Sequence, residues 1–291
     1  MRDHRKSIYL DETHEWNAQK IEPCLGRFQY DKFMNDDRVL HDFLTCVCRD
    51  GIALLSGCTQ DAVAQIGKRI GFIHRTHFGT IFELQTKSDA SNMAYASTKE
   101  LPFHTDFPSL SDPPQLQMLH MLQSADQGGH NLFVDGFYIA EQMRTHHQKE
   151  FEVLSRVNIE YIEQGYDSHP MENGESETTD SNGHVKKIQF GNAMRSWLYD
   201  CHVDEIQSVY RAMKLFTELC YRPENILELQ LQNGDTVLWA NTRLLHTRTA
   251  FTASAERPRT LKGCYFSWDI VKSRVRQLRD KLAHPLNQPC V

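Results

Sequence analysis

The 291-residue chain has no apolar run near the roughly 20 residues that a membrane-spanning helix requires. Its first residues, MRDHRKSIYLDETHEW, lack the apolar centre of a signal peptide and carry acids where a targeting helix avoids them. There is no basic excess either: 32 lysines and arginines against 38 aspartates and glutamates give a formal charge of -6, so the field that draws nucleic acid is missing. The short basic groups, Lys186-Lys187 and Arg274, Arg276, Arg279 and Lys281, read as solvated surface. Eight cysteines are scattered without paired CxxC knuckles and below the density of a stapled secreted domain. These absences predict a soluble cytoplasmic chain in a reducing compartment, with mitochondrial import left open and neither nucleic acid nor membrane as a partner. No internal repeat or linker divides the sequence, so a single domain is expected over residues 33–291, preceded by an irregular approach segment over residues 1–32.

The apolar spacing in FMNDDRVLHDFLTCVCRDG predicts one helix with Phe33, Leu40, Phe43, Leu44 and Val47 on its buried face and Gly51 as its stop. IALLSG reads as a strand and TQDAVAQIGKRIG as a helix, with Asp61 in the favourable first turn. RTHFGTIFELQT has strand alternation that sets Phe78 and Phe82 on one sheet face. Further strands are expected at Leu116 to Leu122, Asn131 to Gly136 and over VKKIQF. Helices are expected over FYIAEQMRTHHQKEFEVLSR, as one or two in sequence, and over DEIQSVYRAMKLFTELC, where Asp204 and Gln207 suit a helix-start box. SHPMENGESETTDSNGHV is a loop by composition. ILELQLQNGDTVLWANTRLLHTR carries the period-2 pattern and Asn-Gly turn of paired strands, and LKGCYFSW is another strand before a basic helix. Many short strands interrupted by helices, without βαβ repetition, predict a mainly β fold with flanking helices, a barrel or jelly roll.

The most informative residues are Leu101-Pro102-Phe103-His104-Thr105-Asp106-Phe107. On an extended segment His104 and Asp106 project to the same face and bring an imidazole nitrogen and a carboxylate oxygen toward one ion. With 15 histidines and 20 aspartates, random placement gives about one His-X-Asp, and this chain has two, so the triplet alone reads equally as a hydrogen-bonded histidine. His202-Val203-Asp204 has a bland explanation as a helix cap. His104-Thr105-Asp106 lies between aromatic residues, and His246 at the end of an apolar strand supplies a second histidine. That completes the two-histidine, one-carboxylate set that leaves positions open on non-haem iron. Arg259, thirteen positions later, could pair its planar fork with a carboxylate of an organic cosubstrate.

With those residues in order, the chain resembles the 2-oxoglutarate-dependent oxygenases of the taurine dioxygenase-like superfamily, and within it the gamma-butyrobetaine dioxygenase-like, carnitine-biosynthesis branch. The matching text is SNMAYASTKELPFHTDFPSLSDPPQLQMLH, GGHNLFVDGFYIAEQ, NTRLLHTR and RTLKGCYFSWDIVKSRVRQLR, and the likeness runs from about residue 20 to residue 285. It implies a double-stranded β-helix (jelly roll) core, with Fe(II) held by His104, Asp106 and His246. It also implies 2-oxoglutarate and dioxygen as cosubstrates, the former gripped at its far carboxylate by Arg259 with Asn131 beside it. The family commonly has glycine where this chain has Thr247, and serine or threonine where it has Asn131.

The same resemblance implies an aromatic cage for a trimethylammonium group from Phe78, Phe82, Tyr95 and Tyr265. Phenylalanines stand at the first two positions in place of more electron-rich rings. Taken singly, Phe78 and Phe82 read as core. Asn92 and Asn192 match asparagines that bind the substrate carboxylate, and Phe107 lacks the hydroxyl often found after the metal aspartate. Fe(II)- and 2-oxoglutarate-dependent hydroxylation of a small betaine follows, gamma-butyrobetaine to carnitine first. The alternatives are trimethyllysine hydroxylation, desaturation or hydroxylation of another small betaine, and a catalytically silent binding protein. No residue is assigned as a general base. The scattered cysteines do not map onto the family's amino-terminal zinc domain, so no structural zinc is expected, and a homodimer is left open.

Overall fold

The computed structural model describes residues 12–86, 97–162 and 184–283. In chain order its strands are β1 (Gly26–Gln29), β2 (Ile52–Ser56), β3 (Phe82–Gln85), β4 (Leu116–Gln123), β5 (Gln127–Gly128), β6 (Asn131–Asp135) and β7 (Ile159–Tyr161). They continue with β8 (Arg195–Tyr199), β9 (Leu227–Leu229), β10 (Thr236–Ala240), β11 (Leu244–Arg248), β12 (Phe251–Thr252) and β13 (Thr260–Phe266). The helices are α1 (Ala18–Ile21), α2 (Tyr30–Asn35), α3 (Asp37–Asp50), α4 (Ala62–Ile70), α5 (Gly136–His146), α6 (Gln148–Arg156), α7 (Ile206–Cys220) and α8 (Trp268–Ala283).

Alternation along the strands builds a layered sandwich. The larger sheet runs β1-β2-β10-β4-β13-β3 and the smaller β11-β6-β9. Val237 and Trp239 of β10, Leu119 and Met121 of β4, and Leu261 and Tyr265 of β13 turn inward to meet Phe133, Leu227, Leu229 and Leu244 of the smaller sheet. The intervening residues, among them Leu238, Met118, Cys264 and Phe266, face outward and are covered by α2, α3, α4 and α8. Val134 and Leu245 on the far side of the smaller sheet pack under α5 and α7. Phe133 and Trp239 meet edge to face at 5.3 Å in the centre, where truncation of either ring would cost about 3–5 kcal/mol. Among the described residues the two sheets stay separate and no closed barrel forms; with its helical layers the fold is mixed α/β rather than mainly β.

Several local expectations change. Of the stretch read as irregular, the described residues 12–32 carry regular structure: Trp16 and Ile21 are buried, and β1 pairs in parallel with β2. The first long helix is two, because Asp36 leaves the helix and caps α3 by accepting from the Arg38 amide at 2.7 Å. Residues 76–79 close a turn through mutual Thr76 and Gly79 backbone bonds, so Phe78 is not on a strand and the strand paired with β13 begins at Phe82. VKKIQF forms no strand; its amides serve cross-links such as Ile188 N–H to Thr242 O at 2.7 Å. The Asn-Gly turn makes no hairpin, since β9 pairs with β6 while β10 inserts between β2 and β4. Asp204 sits in a 3-10 turn, exposed, with its carboxylate 3.2 Å from His202 Nδ1, and does not cap α7. The expected loop at 168–185 lies almost wholly outside the described residues.

Candidate metal centre and its cavity

His246 reaches the interior because of parity on β11: Leu244 turns into the sandwich, Leu245 away from it, and His246 inward again. The Trp239 ring packs against its imidazole at 4.9 Å. His104 lies outside any named strand yet forms an antiparallel bridge with His246, each amide donating to the other's carbonyl at 3.1 and 2.9 Å. That bridge sets the two imidazoles side by side, 4.4 Å between centroids. Asp106, two residues on, is fixed by Asn241, whose Oδ1 accepts from the Asp106 amide at 2.7 Å and whose Nδ2 donates to its carbonyl at 3.0 Å. Phe107 follows with φ of 55°, a left-handed conformation that a bulky residue adopts only where its surroundings enforce it.

The ligand atoms converge. Asp106 Oδ1 lies 3.5 Å from His104 Nε2 and 3.6 Å from His246 Nε2, and one ligand atom from each of the three residues falls within 4.8 Å of the others. His104 Nδ1–H donates to Pro102 O at 2.9 Å, which leaves Nε2 as the coordinating lone pair. Burial opposes ionisation of Asp106, but the His104 hydrogen bond and both imidazoles hold its carboxyl at about 2. Burial, then the neighbouring His104, pushes His246 down to about 3. His104 also loses solvation, yet Asp106 beside it raises its pKa above the ordinary histidine value. Near neutral pH the set therefore offers an ionised carboxylate and a neutral His246, the protonation states that metal ligation needs.

The triad opens into a cavity of about 380 Å³. One group on its wall is cationic: Arg259, 7% exposed, and Arg248, both stacked over Phe251 at 5.3 and 4.6 Å. Among the described residues Arg259 Nε and the Nδ2 of Asn131 are buried donors without a partner. Gly129 (φ 72°) lets the guanidinium lie 3.3 Å from where a Cβ would stand. Two unpaired buried donors and an unneutralised guanidinium fit the carboxylate of a 2-oxoglutarate held also by the metal. Thr247, in the place of a family glycine, donates its hydroxyl to Leu101 O and ties β11 to the segment entering His104.

The second group is aromatic. Phe78, Phe82, Tyr265 and Phe107 form a closed ring of contacts at 6.3, 5.2, 5.5 and 5.9 Å. Asn192 also lines the cavity, next to Gly191, which bridges His104. Asn92 and Tyr95 lie outside the described residues. Arg248 and Gln117 are wall residues that the sequence reading did not single out. Arg248 was within reach of it, standing two positions beyond His246 on the same strand face.

The family model for taurine catabolism dioxygenase TauD, TfdA family matches residues 12–265. Gamma-butyrobetaine dioxygenase of Homo sapiens is 31% identical over 283 residues, covering 96% of this chain and 72% of the relative. Mitochondrial trimethyllysine dioxygenase of Gallus gallus is 30% identical over 271 residues, covering 90% and 64%. A crystal structure of asparagine oxygenase in complex with Fe(II), hydroxyasparagine and succinate superposes with a TM-score of 0.63 at 13% identity, covering 81% of this chain and 82% of that one, which speaks to the fold alone. Family match, relatives and converged triad agree: this chain is an Fe(II)- and 2-oxoglutarate-dependent oxygenase and belongs to the taurine catabolism dioxygenase TauD, TfdA family.

Proposed function

We propose that the chain hydroxylates a small carboxylated betaine, with gamma-butyrobetaine to carnitine as the leading reaction. The observation that carries this is the four-ring aromatic wall of Phe78, Phe82, Phe107 and Tyr265 on the same cavity as the triad. A trimethylammonium group has no N–H to donate, so its recognition rests on aromatic faces and the local field. Asn192 supports the reading as an amide donor for the substrate carboxylate. Trimethyllysine is the second reading, and its α-ammonium asks for an acidic contact. Among the described lining residues the sole carboxylate is Asp106, already committed to the triad.

In this mechanism His104, Asp106 and His246 hold the iron, and Arg259 with Asn131 holds the far carboxylate of 2-oxoglutarate. Iron and cosubstrate, when bound, supply the oxidising chemistry that activates dioxygen and turns a C–H bond into an alcohol as 2-oxoglutarate becomes succinate and carbon dioxide. The protein's own residues decide which carbon is presented. The aromatic wall takes the cationic end, Asn192 the anionic end, and the buried lining of Leu119, Leu261 and Phe107 keeps bulk water from the reacting carbon.

The test is a panel of gamma-butyrobetaine, trimethyllysine, shorter and longer betaines, and isosteres with carbon in place of the quaternary nitrogen, scored by succinate release and oxidised product together. The reading expects gamma-butyrobetaine to lead and its carbon isostere to be turned over poorly. Equal or better turnover of the isostere would remove the cation argument.

A further inference from the structure

The two oxygens of Asp106 have different neighbours. Oδ1 faces His104 Nε2 at 3.5 Å and His246 Nε2 at 3.6 Å, whereas Oδ2 accepts the Tyr265 hydroxyl proton at 2.6 Å. Tyr265 itself is held firmly. Its backbone is registered against Gln117 of β4, and its carbonyl accepts from the His74 amide at 2.8 Å. Its ring is 3% exposed between Phe82 and Phe107. Asn241 fixes the Asp106 backbone from the other side, so both ends of the Tyr265–Asp106 hydrogen bond are anchored in secondary structure or in a clamp.

A carboxylate can meet a metal ion through one oxygen or through both. We propose that the Tyr265 hydroxyl is a positioning group for the metal carboxylate: it claims Asp106 Oδ2, directs Oδ1 alone at the ion, and thereby preserves coordination positions for cosubstrate and dioxygen. This assigns Tyr265 work beyond that of a cage ring. The one residue gives its face to the aromatic wall and its hydroxyl to a metal ligand, so the wall and the ion are mechanically joined. The inference deepens the reading of the same site; it rests on the triad and not on the choice of betaine.

Tyr265→Phe removes the hydroxyl and keeps the ring. The measurement is Co(II) titration of the metal-free 291-residue chain without substrate or cosubstrate, followed by absorbance, with the fold checked by circular dichroism and thermal unfolding. Loss of an outer hydrogen-bond partner of a ligand typically costs 10–100-fold in metal affinity, and that fall is expected here, together with an altered cobalt ligand-field spectrum. Phe82→Leu, which disturbs the ring packing around Tyr265 but no hydroxyl, should keep affinity within about twofold of wild type, since it leaves that hydrogen bond intact. Wild-type affinity and spectrum in Tyr265→Phe would overturn the proposal. Equal losses in both variants would also overturn it, by assigning Tyr265 to packing alone. Because no betaine enters the titration, failure of the substrate assignment leaves this result untouched.

Discussion

Replacing Arg259 with methionine separates a binding arginine from a structural one. Arg259 is buried, has no carboxylate partner among the described residues, and leaves its Nε unsatisfied. Burial, then the adjacent Arg248 cation, pushes its pKa down to about 10, so the fold keeps this charge at a cost when no anion is bound. Methionine forfeits the stacking on Phe251, worth about 1 kcal/mol. It also removes a buried unpaired ion whose desolvation costs several kcal/mol. The ligand-free variant is therefore expected to unfold in urea with a stability equal to or above that of wild type. Cosubstrate binding moves the other way. Hydrogen bonds to charged groups contribute about 1.5–3 kcal/mol each, so losing a two-pronged contact weakens 2-oxoglutarate by more than about a hundredfold. At a concentration of about 100 times the wild-type dissociation constant, anaerobic 2-oxoglutarate with Mn(II) should stabilise wild type by about 2.7 kcal/mol and the variant by about 0.4 or less. A variant that loses about 3–5 kcal/mol without ligand, the signature of a broken buried pair, would refute the reasoning. So would an undiminished response to 2-oxoglutarate.

Four further outcomes follow. Metal affinity should rise about tenfold per pH unit below the raised pKa of His104 and level off above it, because about one proton must leave. His246, at about 3, and Asp106, at about 2, are already deprotonated there, so a slope near two protons in Zn(II) titrations would contradict the assigned states. In the metal-free fold the stability due to charged His104 is full below the ordinary 6.5 and fades as pH rises through its raised value, whereas neutral His246 costs stability as pH falls from 6.5 toward about 3; urea melts across pH should show both limbs. Phe78, 44% exposed, can be cut to leucine with little loss of stability, yet KM for a betaine should rise by about 2–30-fold as a cation–π contact worth about 0.5–2 kcal/mol is lost, while the carbon isostere is unaffected. His104→Ala or Asp106→Ala should abolish substrate-coupled succinate formation, and His202→Ala should not; the reverse would transfer the metal to the exposed His202–Asp204 pair.

The convergence of the candidate triad was legible because period-2 geometry acts locally: two residues apart on extended backbone means one face, which brings His104 and Asp106 together and turns His246 inward. The helix over residues 62–70 was legible from its apolar stripe, and the one over 268–283 from its run of basic residues. What escaped depends on bonds and partners that the apolar periodicity of the sequence does not register. Asp36 interrupts a continuous apolar stripe because its side chain takes the Arg38 amide, a local bond that periodicity does not register. The Asn233-Gly234 turn has hairpin chemistry, but β10 gains more by entering between β2 and β4, whose Ile52, Leu54 and Leu119 complete the core around Trp239. Phe78 reached the aromatic wall from a turn rather than a strand, so the expected neighbourhood arose by a different route. Phe107 was already a candidate substrate-binding residue; what no pattern of residue types announces is the left-handed backbone from which it meets Phe78 and Tyr265.

The most direct test of the account is product stoichiometry in a reaction of the purified chain with Fe(II), 2-oxoglutarate, dioxygen and gamma-butyrobetaine. The account predicts carnitine and succinate in a 1:1 ratio, both lost in His104→Ala. Succinate without carnitine, or an oxidised product from trimethyllysine alone, would contradict it.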